Sequence, residues 1–249
     1  MSTPAVTYLG GPTVLLEYAG LRIVTDPTFD APQTYADRPG TPLTKTAGPA
    51  MSRLEVGAVD LVLLSHHEHE DNLDYEGLEL LATGVRTYST RKAALDLFGG
   101  DVVGLDPWES ETFRGVSVTA VPALHGPPGV ERQIGPVVGF VLEADGCPTA
   151  YVSGDNASLP LVQQIAERFP QIELAVLFAG AGRVPRVDAP LTLTAQDAVE
   201  AARILQASSV VGVHTEDWAH LTETAADLAA AFGGAPLVPT PRGHRVELP

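Results

Sequence analysis

Ser65-His66-His67-Glu68-His69-Glu70-Asp71-Asn72 directly follows the apolar run Leu61-Val62-Leu63-Leu64, at the point where a buried strand would end. The chain holds seven histidines, and three of them fall within this segment. Imidazole nitrogens and carboxylates this close in sequence converge on one or two metal ions if the backbone turns after the strand. Sets of His and Asp suit Zn first, with Mn or Fe as alternatives. Two registers are open. Spacing to Asp71 makes His67 the first ligand, whereas the position next to the strand end and Ser65 favours His66, with Glu68 then able to supply a further carboxylate. His69 and Asp71 belong to the site either way, and the unused histidine is left beside the ligands or exposed.

Outward from this segment, strands are expected at Val6–Leu9, Thr13–Tyr18, Leu21–Thr25 and Leu61–Leu64, separated by Gly and Pro. The Pro/Thr/Gly-rich stretch Asp26–Gly48 has little periodicity and is long enough to be a lid over a site or a plain surface loop. Beyond it, helical patterns at Leu73–Ala82, Arg91–Leu97, Leu159–Arg168, Thr194–Gln206 and Thr222–Ala231 alternate with strands. Those strands are Val85–Tyr88, Val116–Val121, Val137–Glu143, Thr149–Ser153, Leu174–Phe178 and Val210–Val213. Thr194 with Asp197 marks a capped helix start. This alternation suits two sheets packed together with helices on their outer faces, within one domain over residues 1–249.

Composition narrows the partners. Hydrophobic residues make up 45% and charged residues 18%, an ordinary folding composition. The 31 acidic residues against 15 Lys and Arg give a net charge of -16, which repels phosphate backbones and anionic lipid, so a small molecule is expected as partner rather than nucleic acid or membrane. The opening Met1–Thr7 has no basic and apolar leader pattern and no apolar run reaches membrane-spanning length, so a cytoplasmic location is expected. Cys147, the single cysteine, excludes an internal disulfide and a multi-cysteine cage, and reads as a buried or turn thiol. Any metal is therefore held mainly by His and carboxylate.

His67-x-His69-x-Asp71-Asn72 resembles the H-x-H-x-D-H signature of the metallo-β-lactamase superfamily, altered at its last position. Leu9-Gly10-Gly11-Pro12-Thr13-Val14-Leu15-Leu16-Glu17 and Leu21–Pro27 resemble the opening strands of its ascorbate-6-phosphate lactonase-like branch, in which Asp26 would face the site. Pro122-Ala123-Leu124-His125-Gly126, Tyr151-Val152-Ser153-Gly154-Asp155 and Val210-Val211-Gly212-Val213-His214 look like the family's later ligand positions, each at a strand end. The resemblance implies a four-layer αββα sandwich with metal at one edge of the paired sheets. The implied ligands are His66 or His67, His69, Asp71, His125, Asp155 and His214.

Asn72 stands where the family has a histidine, so a second ion would be left mainly with Asp71, Asp155 and His214. One or two ions are thus both compatible with the chain. The implied activity is hydrolysis of a small-molecule ester, lactone or phosphoester by metal-activated water, with Asp71 orienting the water and accepting its proton. The alternative is a non-hydrolytic metal or ligand binder of the same fold. His220, near Trp218, is expected to be exposed or capping rather than in the pocket. Arg183 and Arg186 are expected to be a solvated pair rather than an anion clamp, and His244 a surface residue.

Overall fold

The computed structural model describes residues 3–36 and 42–248; residues 37–41 of the Pro/Thr/Gly-rich stretch, and the first two residues of the opening segment, lie outside them. Along the chain come β1 (Ala5–Gly10), β2 (Thr13–Tyr18), β3 (Leu21–Thr25), β4 (Gln33–Tyr35), β5 (Leu43–Lys45), α1 (Arg53–Val56), β6 (Leu61–Leu63), α2 (Tyr75–Leu81), β7 (Arg86–Ser89), α3 (Arg91–Asp96) and β8 (Asp101–Gly104). The second half runs β9 (Ser110–Phe113), β10 (Val116–Pro122), α4 (Glu131–Ile134), β11 (Val138–Glu143), β12 (Ala150–Val152), α5 (Leu159–Arg168), β13 (Leu174–Phe178), α6 (Ala195–Leu205), β14 (Ser209–Val213), α7 (Ala225–Phe232) and β15 (Arg245–Glu247). One sheet has the order β15-β1-β2-β3-β6-β7-β8, the other β14-β13-β12-β11-β10-β9, and β4 pairs with β5 alone.

Successive side chains of a strand point to opposite faces, and here both faces are apolar. Leu16, Ile23, Leu61 and Leu63 of the first sheet meet Phe140, Val152, Val176 and Val211 of the second in the central core. Their neighbours Leu15, Val24 and Val62 pack outward with Val56, Leu80 and Leu81 of α1 and α2. On the other side Val141, Tyr151, Ala175, Leu177 and Val210 pack outward with Val162 and Ile165 of α5, Ala198 and Ala202 of α6, and Leu228 of α7. Strands buried on both faces need a helix layer on each outer side, and four layers result. Each fully buried Leu or Val contributes roughly 1.5–3 kcal/mol.

Caps set the helix starts. Asp74 accepts from Gly77 N, so α2 begins at Tyr75 and not at Leu73; Thr224 accepts from Asp227 N, so α7 begins at Ala225 and not at Thr222. Thr194 and Asp197 form the expected capping box. No described helix is long and apolar enough to cross a membrane.

The parallel pairs β3 with β6 and β6 with β7, and β12 with β13 and β13 with β14, aim their C-terminal ends at one edge. The sheets are stitched there by Val138 N to Ser65 O at 3.1 Å and His214 N to Gly11 O at 2.7 Å. Gly180, just after β13, lets the chain pass His214: a Cβ on it would lie 2.0 Å from the His214 carbonyl oxygen. Gly180→Ala is therefore expected to cost about 2 kcal/mol or more in urea or thermal unfolding, because backbone rather than a flexible side chain must move. Gly48→Ala, whose nearest new contact is 3.7 Å, should stay within about 0.5 kcal/mol of the parent. Equal stabilities for the two variants would contradict this packing.

Candidate metal centre

The histidine segment is fixed at its start. Ser65 N donates to Asp26 Oδ1 at 2.7 Å, and Leu64 N to Tyr88 O at 3.0 Å. Asp26 itself, at φ 28°, is held in an unfavourable backbone region. Thr13 Oγ1 secures that turn by donating to Asp26 O at 2.7 Å and accepting from Thr28 N at 3.0 Å. Burial pushes the Asp26 carboxyl well above its ordinary range, the nearby Asp155 carboxylate adding to the shift against the Ser65 hydrogen bonds. Asp26 is thus biased toward its neutral form and props the histidine loop through Ser65 N.

His66 and His69, three residues apart on the turn, and His125 beyond β10 bring one ring nitrogen each to within 4.8 Å of one another. His66 Nε2 and His69 Nδ1 are 3.0 Å apart. His125 Nδ1 lies 2.7 Å from Leu191 O, an acceptor only, so Nδ1 carries the proton and Nε2 is left with its lone pair toward the group. Burial, then the neighbouring imidazoles, hold His66 well below its ordinary pKa; burial and His125 bring His69 to about 4. Both rings are thus neutral at pH 7, the state a cation needs.

A second group comprises Asp71, His214 at the end of β14, and His220. Asp71 Oδ2 lies 3.4 Å from His214 Nε2 and 3.0 Å from His220 Nε2. Burial would raise the Asp71 carboxyl, but the His220 and His214 rings beside it outweigh burial and hold it well below the ordinary range. Burial works against a charged His214, yet Asp155 and Asp71 raise it overall. Asp155 lies between the groups, with Oδ2 3.4 Å from His125 Nε2 and 4.0 Å from His66 Nε2, and Oδ1 3.7 Å from His214 Nε2.

Asp71 Oδ1, both Asp155 oxygens and both His214 nitrogens are buried without a hydrogen-bond partner. Orphaned buried donors and acceptors are costly, and a set of imidazoles and carboxylates with free lone pairs fits a divalent cation.

His67 does not join either group. Its Nε2 is 3.1 Å from Asp96 Oδ2 on α3 and its Nδ1 3.3 Å from Glu68 Oε2, so the chain leaves β6 with His66 inward and His67 turned to the neighbouring helix. The register counted from the strand end describes the geometry; the register counted from Asp71 does not. Asn72 is fully buried with neither amide atom partnered.

His220, expected at the surface, is instead beside Asp71. The signal that would have found it lies in its mounting. Its segment is tied to β5 by Thr46 N to Asp217 O at 2.7 Å and Ala219 N to Thr44 O at 3.0 Å, while Arg183 N donates to His220 O at 3.0 Å. Arg242 grips Asp217 through both carboxylate oxygens at 2.7 Å. None of these partners is near in sequence.

His69, Asp71, His125 and His220 open into a pocket whose walls are Glu68 and Glu70 of the histidine segment, Tyr35 and Leu43 of the β4–β5 hairpin, Gln133 and Ile134 of α4, and Val184, Arg186, Val187 and Leu191 of the loop after β13. The hairpin places part of the stretch suspected as a lid at the pocket wall. Lys45 is buried on Asp74 at 2.9 Å, and Trp218 stacks on Tyr35 at 5.7 Å. Arg183 and His244 are exposed as expected. Arg186 is exposed too, but lines the pocket, where it is the only Lys or Arg among the described lining residues. Cys147 is a half-buried free thiol.

A family model described as a beta-lactamase superfamily domain matches residues 21–215. A metal-dependent hydrolase of Pelotomaculum thermopropionicum is 28% identical over 92% of this chain and 92% of its own length. One from Methanosphaerula palustris is 31% identical over 67% of this chain and 72% of its own. Among solved structures, an isothiocyanate hydrolase from Delia radicum gut bacteria superposes with a TM-score of 0.83 at 20% identity, covering 97% of this chain and 98% of its own.

The raised Asp26 carboxyl yields a stability test. A carboxyl whose folded pKa is raised favours folding below its unfolded pKa of about 3.9, and that contribution is lost as pH rises through the folded value. Asp26→Asn keeps an acceptor for Ser65 N without the titration, so its melting temperature relative to the parent should rise between pH 4 and pH 8. Asp26→Ala strands a buried N–H and should lose about 1–3 kcal/mol throughout. A pH-independent Asn difference would show that Asp26 does not carry a raised pKa.

Proposed function

The chain belongs to the beta-lactamase superfamily domain family, and on that premise we propose that it is a metal-dependent hydrolase whose ion is held by His66, His69 and His125 with Asp155. The observation that carries this reading is the convergence of these donors from three separate strand ends, with His69 and His125 opening into a pocket of mixed polar and apolar lining. A divalent cation in such a site lowers the pKa of water and polarises the oxygen of the group under attack. Zinc is the first choice for imidazole-rich donors, with manganese or iron as alternatives.

The remaining chemistry belongs to the chain. Asp71 Oδ1, buried and unpartnered, is placed to orient the attacking water and to take its proton. The Leu191 carbonyl keeps His125 in one tautomer. Tyr35, Leu43, Ile134, Val184 and Val187 exclude water around an apolar substrate body, and Arg186 at the wall offers a guanidinium to a carboxylate or phosphate. Apolar side chains with Arg186, on the wall away from Glu68 and Glu70 of the histidine segment, support a small-molecule ester, lactone or phosphoester whose anionic group meets the guanidinium. A net charge of -16 disfavours nucleic acid as substrate.

Screening carboxylate-bearing esters and lactones together with phosphomonoesters and phosphodiesters, with and without chelator, tests this directly. Turnover should disappear with chelator and return with Zn, Mn or Fe. Metal binding without chelator-sensitive turnover on any of these classes would favour a non-hydrolytic binder. In Asp71→Ala, kcat should fall by about 100-fold or more; undiminished turnover would contradict the assigned role. Arg186→Ala should raise KM for anionic substrates and leave neutral esters unchanged, and an equal effect on both would remove it from substrate binding.

A further inference from the structure

We propose that Arg242, outside the pocket, is a positioning residue: its grip on Asp217 sets the turn of residues 214–220 so that the His220 ring faces Asp71. This rests on the hydrolase reading above only where turnover is measured.

The turn does not take its path by local preference. It leaves β14 at His214 with φ 56° and passes Asp217 with φ 73°, and both lie in the left-handed region that residues carrying a Cβ normally avoid. Such a conformation persists only where neighbours over-determine it. Backbone bonds from Thr46 N to Asp217 O and from Ala219 N to Thr44 O hold the main chain on β5. The Asp217 side chain is held by Arg242, whose Nη1 and Nη2 donate to Oδ1 and Oδ2 at 2.7 Å each, while Nη1 also reaches Glu216 Oε1 at 3.0 Å. A planar guanidinium on two oxygens fixes direction as well as distance, and the Asp217 carboxylate, 3% exposed, has little water to replace it.

The pair sits in a prepared space. A Cβ on Gly10 would overlap both Asp217 Oδ2 and Arg242 Nη2, so the end of β1 is kept bare where the two meet. Arg242 is itself anchored to β1, because Gly243 N donates to Tyr8 O at 2.8 Å and Arg245–Glu247 pair with Ala5–Thr7. Arg242 Nη2 also donates to Gly48 O, beyond the hairpin that walls the pocket. Lys45 is the other cation near the turn, but its charge is taken by Asp74 at 2.9 Å and it meets only the Trp218 ring, at 5.5 Å. Three residues after Asp217, His220 Nε2 stands 3.0 Å from Asp71 Oδ2. With the grip removed, the turn relaxes from its left-handed residue and carries that ring away.

The experiment records the histidine ring nitrogens of metal-free protein by long-range proton–nitrogen correlation, well below the melting temperature. In Arg242→Ala the His220 signals should shift or broaden while those of His66, His69 and His125 stay, and Arg242→Lys should fall between this variant and the parent. Arg245→Ala, which removes a guanidinium from Glu17 and Glu247 on the neighbouring strand, should move none of them. Unchanged His220 signals, or equal movement of all the rings, would overturn the proposal. If Arg242→Ala does not fold, Asp217→Asn removes the charge from the same contact and carries the same comparison. With a substrate from the screen above, Arg242→Ala should lower kcat by up to about 100-fold, and should cost nothing further in a His220→Ala background. Additive losses would also overturn the proposal. Shifted His220 signals in a protein without chelator-sensitive turnover would overturn the hydrolase reading and leave the positioning role standing.

Discussion

Asp26, Asp71 and Asp155 are taken out of water at one edge of the two sheets, at 0%, 3% and 0% exposure, and no Lys or Arg among the described residues pairs with Asp71 or Asp155. Removing an ionised carboxylate from water costs several kcal/mol unless charge returns to it. The chain meets this in two ways. Asp26 is pushed toward its neutral form and becomes a backbone acceptor, while Asp71 and Asp155 are surrounded by imidazoles rather than by fixed cations. Imidazoles can give up protons to make room for a metal, whereas a lysine would occupy the site permanently.

The sandwich exists in a form that makes this edge possible. Parallel strands deliver their C-terminal ends together, and residues 26, 66, 155 and 214 follow β3, β6, β12 and β14. Two of them, Asp26 at φ 28° and His214 at φ 56°, sit in a region that side chains normally avoid. Strain at both is held by neighbours: the Thr13 hydroxyl at one, Gly180 and the Gly11 carbonyl at the other. The β4–β5 hairpin then closes the assembly by joining Asp74 at the start of α2 to the Trp218 segment. The pocket wall at Tyr35 and Leu43 and the His220 segment are thus mounted on the same frame.

Much of this frame is legible locally. Thr13–Tyr18, Leu21–Thr25, Leu159–Arg168 and Leu174–Phe178 match their patterns end to end, because apolar runs and Gly, Pro or Ser punctuation act within a few residues. The pattern passes over β4, β5, β8, β9 and β15, which are short, largely polar or at an edge, and exist because another strand offers them hydrogen bonds. The site divides in the same way. His66, His69, His125, Asp155 and His214 could be nominated from strand ends, since a strand end is a local feature. His67 and His220 could not be placed, because one is decided by Asp96 of a neighbouring helix and the other by bonds to residues 44, 46 and 183.

The central claim is that the cation sits on the inward-turned His66 and not on His67. Anomalous diffraction at the zinc edge from zinc-soaked crystals tests it most directly. The account predicts a peak about 2.0–2.1 Å from one ring nitrogen each of His66, His69 and His125, with His67 still on Asp96. A peak ligated by His67, or none at the trio, would contradict it.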